Sequence, residues 1–132
     1  MSAPTTGKKR PPILLIEDEP SVSAFVRAAL ERRGYAVVQA KTGADGIREL
    51  SCGEYVGVIS DIRMPGELNG ADVHHWIQHN RPELCQRIIL ISGDTANSET
   101  QSLLSKSATP CIAKPFRLQQ LISTVEITFG KP

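Results

Sequence analysis

The chain has 132 residues, 40% of them hydrophobic, and a formal net charge of +1 at pH 7, which is enough for one self-sufficient core and too little for a second folded domain. So even a charge balance gives no global field to draw nucleic acid or an anionic membrane. Three cysteines, Cys52, Cys85 and Cys111, lie far apart with no Cys-x-x-Cys pair, so a disulfide framework or thiolate metal site has no support and a reducing cytoplasm fits best.

Residues 1–12 carry Lys8, Lys9 and Arg10 among prolines and lead into four apolar residues and then acids. They read as a flexible, solvated tail and not as a signal peptide. Ile13 to Ile16 is an apolar run too short for a helix, predicting a strand buried on both faces that stops at Glu17-Asp18-Glu19-Pro20. Val22, Phe25, Val26, Ala29 and Leu30 then mark one stripe of a helix closed by Arg32, Arg33 and Gly34. The alternation repeats with a strand over Ala36 to Ala40, a helix over Ala44 to Leu50 and a strand over Val56 to Ser60, with Asp61 at its end. A loop containing Pro65, Gly66 and Gly70 precedes a helix around Val73, Trp76 and Ile77, and a strand follows over Arg87 to Ser92. Thr95 to Ser107 has only Leu103 and Leu104 as large apolar residues, and Ser98 with Gln101 suits a capping box, so a loosely docked helix is expected there. Cys111 to Ala113 reads as a short strand, and Leu118, Leu121, Ile122, Val125 and Phe129 form a final helical stripe before Gly130. The longest apolar runs fall far short of the roughly 20 residues that cross a bilayer.

Strands alternating with helices imply a doubly wound α/β domain, its parallel sheet covered on both faces, with ligands at the carboxyl ends of the strands. Two strand orders share that rule, and both remain open. The residues that leave the strands are Glu17 and Asp18, Asp61, Ser92 and Lys114. Carboxylates gathered at one apolar edge repel each other unless a cation compensates, and oxygen donors of this kind suit Mg2+. With the acids neutralised, one carboxylate can attack phosphorus and become an aspartyl phosphate; Asp61, standing alone, is the expected nucleophile. Lys114 supplies a cation for the transferred oxygens, and Ser92 a hydroxyl.

Glu17-Asp18, Asp61 followed by Met64-Pro65-Gly66, Ser92-Gly93 and Lys114-Pro115-Phe116 stand in an order and spacing that resembles the receiver domains of bacterial two-component response regulators. The resemblance covers Ile13 to about Phe129 and implies a single receiver domain over 13–130 with the flavodoxin-like five-stranded fold. It further implies that Asp61 is the phosphoacceptor, that Glu17, Asp18, Asp61 and the Arg63 carbonyl hold Mg2+, and that Ser92 and Lys114 contact the phosphoryl group. Gly93, Met64 and Pro115 would line the phosphate pocket, with a cis peptide at Lys114-Pro115, and Arg63 and Asp94 would tune the lifetime of the phosphate. The implied donor is a histidine kinase or histidine phosphotransfer protein; output passes to a protein partner or by onward phosphotransfer, with no direct nucleic-acid contact and no membrane insertion. A stand-alone regulator and the receiver of a hybrid histidine kinase fit equally. Two departures stand out: Cys111 occupies the switch position where signalling members commonly carry Tyr or Phe, and the stretch Pro65 to Gly70 is one residue longer than the commonest form.

Other patterns carry less. His75 and His79 have zinc-protease spacing without its glutamate, and Trp76 reads as a packing residue. A Mg2+-dependent aspartyl-phosphate phosphatase, the rival from another class, would place a second Asp two residues after the nucleophile, where this chain has Arg63. A pure interaction module would have no need of the acid, Asp, Ser and Lys set.

Overall fold

The computed structural model describes residues 11–62, 68–93 and 109–132. Its elements run β1 (Ile13–Ile16), α1 (Pro20–Arg32), β2 (Val37–Ala40), α2 (Gly43–Cys52), β3 (Gly57–Asp61), α3 (Gly70–Asn80), a 3-10 turn (Pro82–Leu84), β4 (Ile88–Ser92), β5 (Cys111–Ala113) and α4 (Leu118–Phe129). The helix expected over Thr95 to Ser107, the residues Arg63, Met64 and Asp94, and residues 1–10 of the tail lie outside the described residues.

All pairings are parallel, in the order β2-β1-β3-β4-β5. The chain therefore reverses direction across the sheet between β1 and β3, which opens a crevice at their carboxyl ends. Register decides what meets there. Ile16 lies beside Ala40 and Ser60, Asp61 beside Ile91, and Ser92 beside Ala113. The residues that leave β1, β3, β4 and β5 thus arrive at one level.

Side chains alternate across a strand, so each strand feeds two cores. Ile13, Leu15, Ile59, Ile89, Ile91 and Ile112 face Val26 and Leu30 of α1 and Leu121, Val125 and Phe129 of α4. Leu14, Ile16, Val58 and Leu90 face Leu50 of α2, Val73 and Ile77 of α3, and Leu84 of the 3-10 turn. Each fully buried Ile, Leu or Val stabilises the fold by about 1.5–3 kcal/mol over an exposed one. Trp76 packs against the second core, as its spacing suggests. Phe25 and Leu118, read from the stripes as core, remain half-exposed, and the Phe25 ring tilts onto Phe116 with centroids 5.9 Å apart.

Local chemistry sets the boundaries. Pro20 opens α1, and Gly34, at φ +101°, closes it in a backbone conformation that L side chains rarely adopt. Thr42 caps α2, its hydroxyl accepting from the Asp45 amide at 3.0 Å. At α3, Asn69 and Asp72 form a reciprocal capping box, with distances of 2.9 and 3.0 Å. That box starts the helix at Gly70, well before the apolar residues that announce it. Strand β3 runs one residue later than its apolar pattern predicts. Gly57 is the cause of its close packing: a Cβ there would enter the Phe129 ring, so α4 can lie directly on the strand.

Candidate functional site

Glu17 follows β1 and extends its ladder, its amide donating to the Ala40 carbonyl at 3.0 Å. Its side chain is turned into the crevice, 1% exposed. Oε1 accepts from the Glu19 amide at 3.1 Å. Oε2 is buried and has no hydrogen-bond partner; the Lys114 ammonium lies 3.3 Å away as an ion pair without hydrogen-bond geometry. Burial pushes the Glu17 carboxyl up to about 7, aided by the charge of Asp61 and opposed by the Glu19 amide bond and by Lys114.

Asp61 is the last residue of β3 and is buried. Helix α3 is drawn against this strand end. The Gly70 amide donates to the Ile62 carbonyl at 2.8 Å, and a Cβ on Gly70 would stand 2.7 Å from the Asp61 carbonyl oxygen. Lys114 follows β5, its amide donating to the Ser92 carbonyl at 2.8 Å, so the β4–β5 ladder aims the lysine at the crevice. Its Nζ donates to Asp61 Oδ2 at 2.7 Å and to Glu19 Oε1 at 3.0 Å. Burial alone would lower the pKa of Lys114, but the bonds to Asp61 and Glu19 and the charges of Asp61 and Glu17 outweigh it and raise it, so the lysine stays charged.

Oxygens of Glu17, Glu19 and Asp61 lie within 4.8 Å of one another. Asp18, paired with Glu17 in the sequence reading, is half-buried and is not part of this group; Glu19, which that reading passed over, is. Ser92 is buried at the end of β4. Gly93 lies beside the Lys114 stem, where an added Cβ would stand 4.0 Å from Cδ. Gly93, Lys114 and Pro115 share a cleft of about 480 Å³ with Val22, Phe25 and Phe116, and the Lys114-Pro115 peptide is cis. A larger groove of about 720 Å³ runs between α1 and α4 and contains none of the converging acids. Cys111 is half-buried against the second core, and burial raises its thiol pKa, which favours the protonated thiol.

The donor set fits a hard divalent cation. Among the described residues it consists of carboxylate oxygens, one of them buried without a hydrogen bond, and three acids face one lysine. Imidazole and thiolate ligands are absent from the group.

The family of response regulator receiver domains matches residues 13–126. Among curated proteins, the chain is 33% identical over 116 residues to a sensor kinase, CckA, of Brucella abortus, covering 86% of this chain and 12% of that protein. It is 31% identical over 111 residues to the transcriptional regulatory protein KdpE of Mycobacterium tuberculosis, covering 84% of this chain and 47% of the regulator. The chain thus spans half or less of these relatives. Among solved structures, the signal receiver domain of a histidine kinase from Syntrophus aciditrophicus aligns with a TM-score of 0.80 and 26% identity, covering 90% of this chain and 89% of that one. The receiver domain of the sensor histidine kinase PA1611 from Pseudomonas aeruginosa, with a magnesium ion coordinated in its active-site cleft, aligns with a TM-score of 0.79 and 23% identity over 92% and 99% of the two chains. No described helix is long and apolar enough to cross a membrane. The five-stranded parallel sheet, the edge where its acids and lysine meet and the match over 13–126 lead to one conclusion: this chain belongs to the response regulator receiver domain family of two-component signalling.

Proposed function

We propose that Asp61 accepts a phosphoryl group from a phosphohistidine on a histidine kinase or histidine phosphotransfer protein, and that the acids beside it bind Mg2+. The observation that carries this is the buried Asp61 carboxylate, held 2.7 Å from the Lys114 ammonium and beside the unsatisfied Glu17 oxygen. An Asp61 oxygen attacks phosphorus, the phosphorus–nitrogen bond breaks, and its electron pair leaves with the imidazole, which takes a proton from water. In hydrolysis, water attacks phosphorus, and the bond to Asp61 breaks to release phosphate and the free carboxylate.

Glu17, Asp61 and Glu19, joined by Asp18 and the Arg63 carbonyl in the reading from resemblance, are the residues that would hold Mg2+. Once bound, the ion neutralises the acids and offers positive charge to phosphoryl oxygens. Lys114 pairs with another of those oxygens and Ser92 donates its hydroxyl to them, while Gly93, Met64 and Pro115 line the pocket and Arg63 and Asp94 set the access of water to phosphorus. The inward pull on Ser92 and Lys114 shifts the β4 and β5 ends between two states that a protein partner distinguishes. Cys111 in place of an aromatic ring weakens or reroutes this coupling. The 13–130 segment acts as one domain in the cytoplasm, with 1–12 as its tail, either in a regulator or as the receiver of a hybrid kinase.

The test is incubation with a small acyl phosphate, with and without Mg2+, read by intact mass beside Asp61→Asn. A Mg2+-dependent gain of one phosphoryl group, missing from the variant, is the expected result. No gain in the wild-type protein overturns the reading.

A further inference from the structure

Glu19 is the site residue that local structure accounts for least. It stands at the N-cap of α1, where short Ser, Thr, Asp or Asn side chains accept from first-turn amides, yet its carboxylate makes no such bond. It reaches across the crevice to Lys114 instead, although its side chain is 56% exposed. Its own amide is bound to Glu17 Oε1. The backbone of Glu19 is therefore tied to the buried acid and its side chain to the lysine.

An ammonium has three N–H groups, and that of Lys114 is ringed by Asp61 at 2.7 Å, Glu19 at 3.0 Å and Glu17 at 3.3 Å. Its hydrogen bonds go to Asp61 and Glu19, with Glu17 held as an ion pair, and a phosphoryl group on Asp61 brings anionic oxygens that compete with these partners for Lys114. Glu17 is buried, so freeing its charge is costly, and Asp61 is the acceptor itself. Glu19 is the partner released at least cost, because water solvates its carboxylate at once.

We propose that Glu19 is a positioning residue that tethers Lys114 in the unphosphorylated site and competes with the incoming phosphoryl group for it, slowing phosphoryl acceptance while its charge strengthens Mg2+ binding. The proposal rests on the phosphoacceptor reading above. Its two effects separate by chemistry. Attraction for the cation needs only the charge, whereas the tether needs the length of a glutamate.

Glu19→Gln removes the charge and weakens the tether. Mg2+ affinity, measured by titration calorimetry, falls about two- to fivefold, while the phosphorylation rate constant with acyl phosphate at saturating Mg2+ rises about two- to fivefold, as loss of one exposed ion pair allows. Glu19→Asp keeps the charge but is too short to span to Lys114, and its carboxylate is drawn to the α1 amides. There the rate rises as in Glu19→Gln while Mg2+ affinity stays within about twofold. Lysine-selective 15N NMR of the metal-free protein reads the tether without any phosphoryl chemistry: the Lys114 ammonium exchanges protons with water faster in both variants than in the wild type. Rates that fall or hold in both variants make Glu19 a metal ligand only and overturn the proposal, as does unchanged Lys114 exchange. A wild-type protein that binds Mg2+ but takes no phosphoryl group overturns the phosphoacceptor reading and this proposal with it.

Discussion

Replacing Lys114 by Met removes the ammonium that faces Glu17, Glu19 and Asp61 in the metal-free protein. Removing one partner of a buried pair costs about 3–5 kcal/mol. Here the site opens to water on the Glu19 side, where the side chain is 56% exposed, and Lys114 itself is 17% exposed. Screening reduces the expected loss to about 2 kcal/mol at pH 8, a fall in Tm of about 5–10 °C for a domain of this size. The loss depends on pH with a definite sign. Glu17 is raised from 4.5 to about 7, so the folded protein holds a proton that the unfolded chain releases between those values, and burying a charged Glu17 costs stability progressively as pH rises through that window. Lys114 supports the charged form, so its removal costs most above pH 7 and least near pH 5, where Glu17 is neutral and the contacts with Asp61 and Glu19 are what is lost. Thermal unfolding by circular dichroism at both pH values, without and with Mg2+, measures this, and Mg2+ should raise the Tm of the variant more than that of the wild type because no ammonium competes for the acids. An unchanged Tm at pH 8, or a larger drop at pH 5 than at pH 8, refutes the electrostatic account of the site.

Gly57→Ala places a methyl group in the Phe129 ring and should lower stability by about 1–3 kcal/mol in urea unfolding; a neutral result means that α4 shifts freely over β3. Asn69→Ala removes one half of the α3 capping box, with an expected loss of about 1 kcal/mol, and hydrogen exchange should localise the loss to the first turn of α3. His74 is buried, its Nε2 3.0 Å from Thr109 Oγ1, and burial first and the charge of His75 second lower its pKa below 6.5. The unfolded chain therefore takes up a proton before the folded one, and the contribution of His74 to stability is lost as pH falls below about 6.5, opposite in sign to that of Glu17. In His74→Gln stability should rise relative to the wild type as pH falls below about 6.5, and an unaltered pH slope would rule out this role for His74.

Much of this arrangement is legible in the chain because a parallel sheet buried on both faces demands continuous apolar strands. Ile13–Ile16 and Ile88–Ser92 announce themselves, and the polar residues that end such runs mark the functional edge. Glu17, Asp61, Ser92 and Lys114 were found in that way, and register brings them to one level. Glu19 escaped because it stood as one more charge in the run Glu17-Asp18-Glu19-Pro20 that stops the first strand, after the acidic pair Glu17-Asp18. Successive side chains at a strand exit point to opposite sides, so the residue that shares the side of Glu17 is two positions on, which is Glu19, and its carboxylate lies close to those of Glu17 and Asp61. The contact of His74 with Thr109 spans 35 residues and leaves no periodic trace. Strand order, likewise, depends on which faces pack, and the two common orders share one alternation of elements. Nothing in the sequence around Gly57 signals its role, and only the ring of Phe129 explains why a side chain is excluded there.

The central claim is that Asp61 carries the phosphoryl group, and its most direct test is to locate that group. Borohydride reduces an aspartyl phosphate to homoserine and leaves free carboxylates untouched. Peptide mapping of protein treated with acyl phosphate and Mg2+ and then reduced should find homoserine at position 61, with Glu17, Asp18 and Glu19 unmodified. Homoserine absent from position 61, or reduction at another acid, contradicts the account.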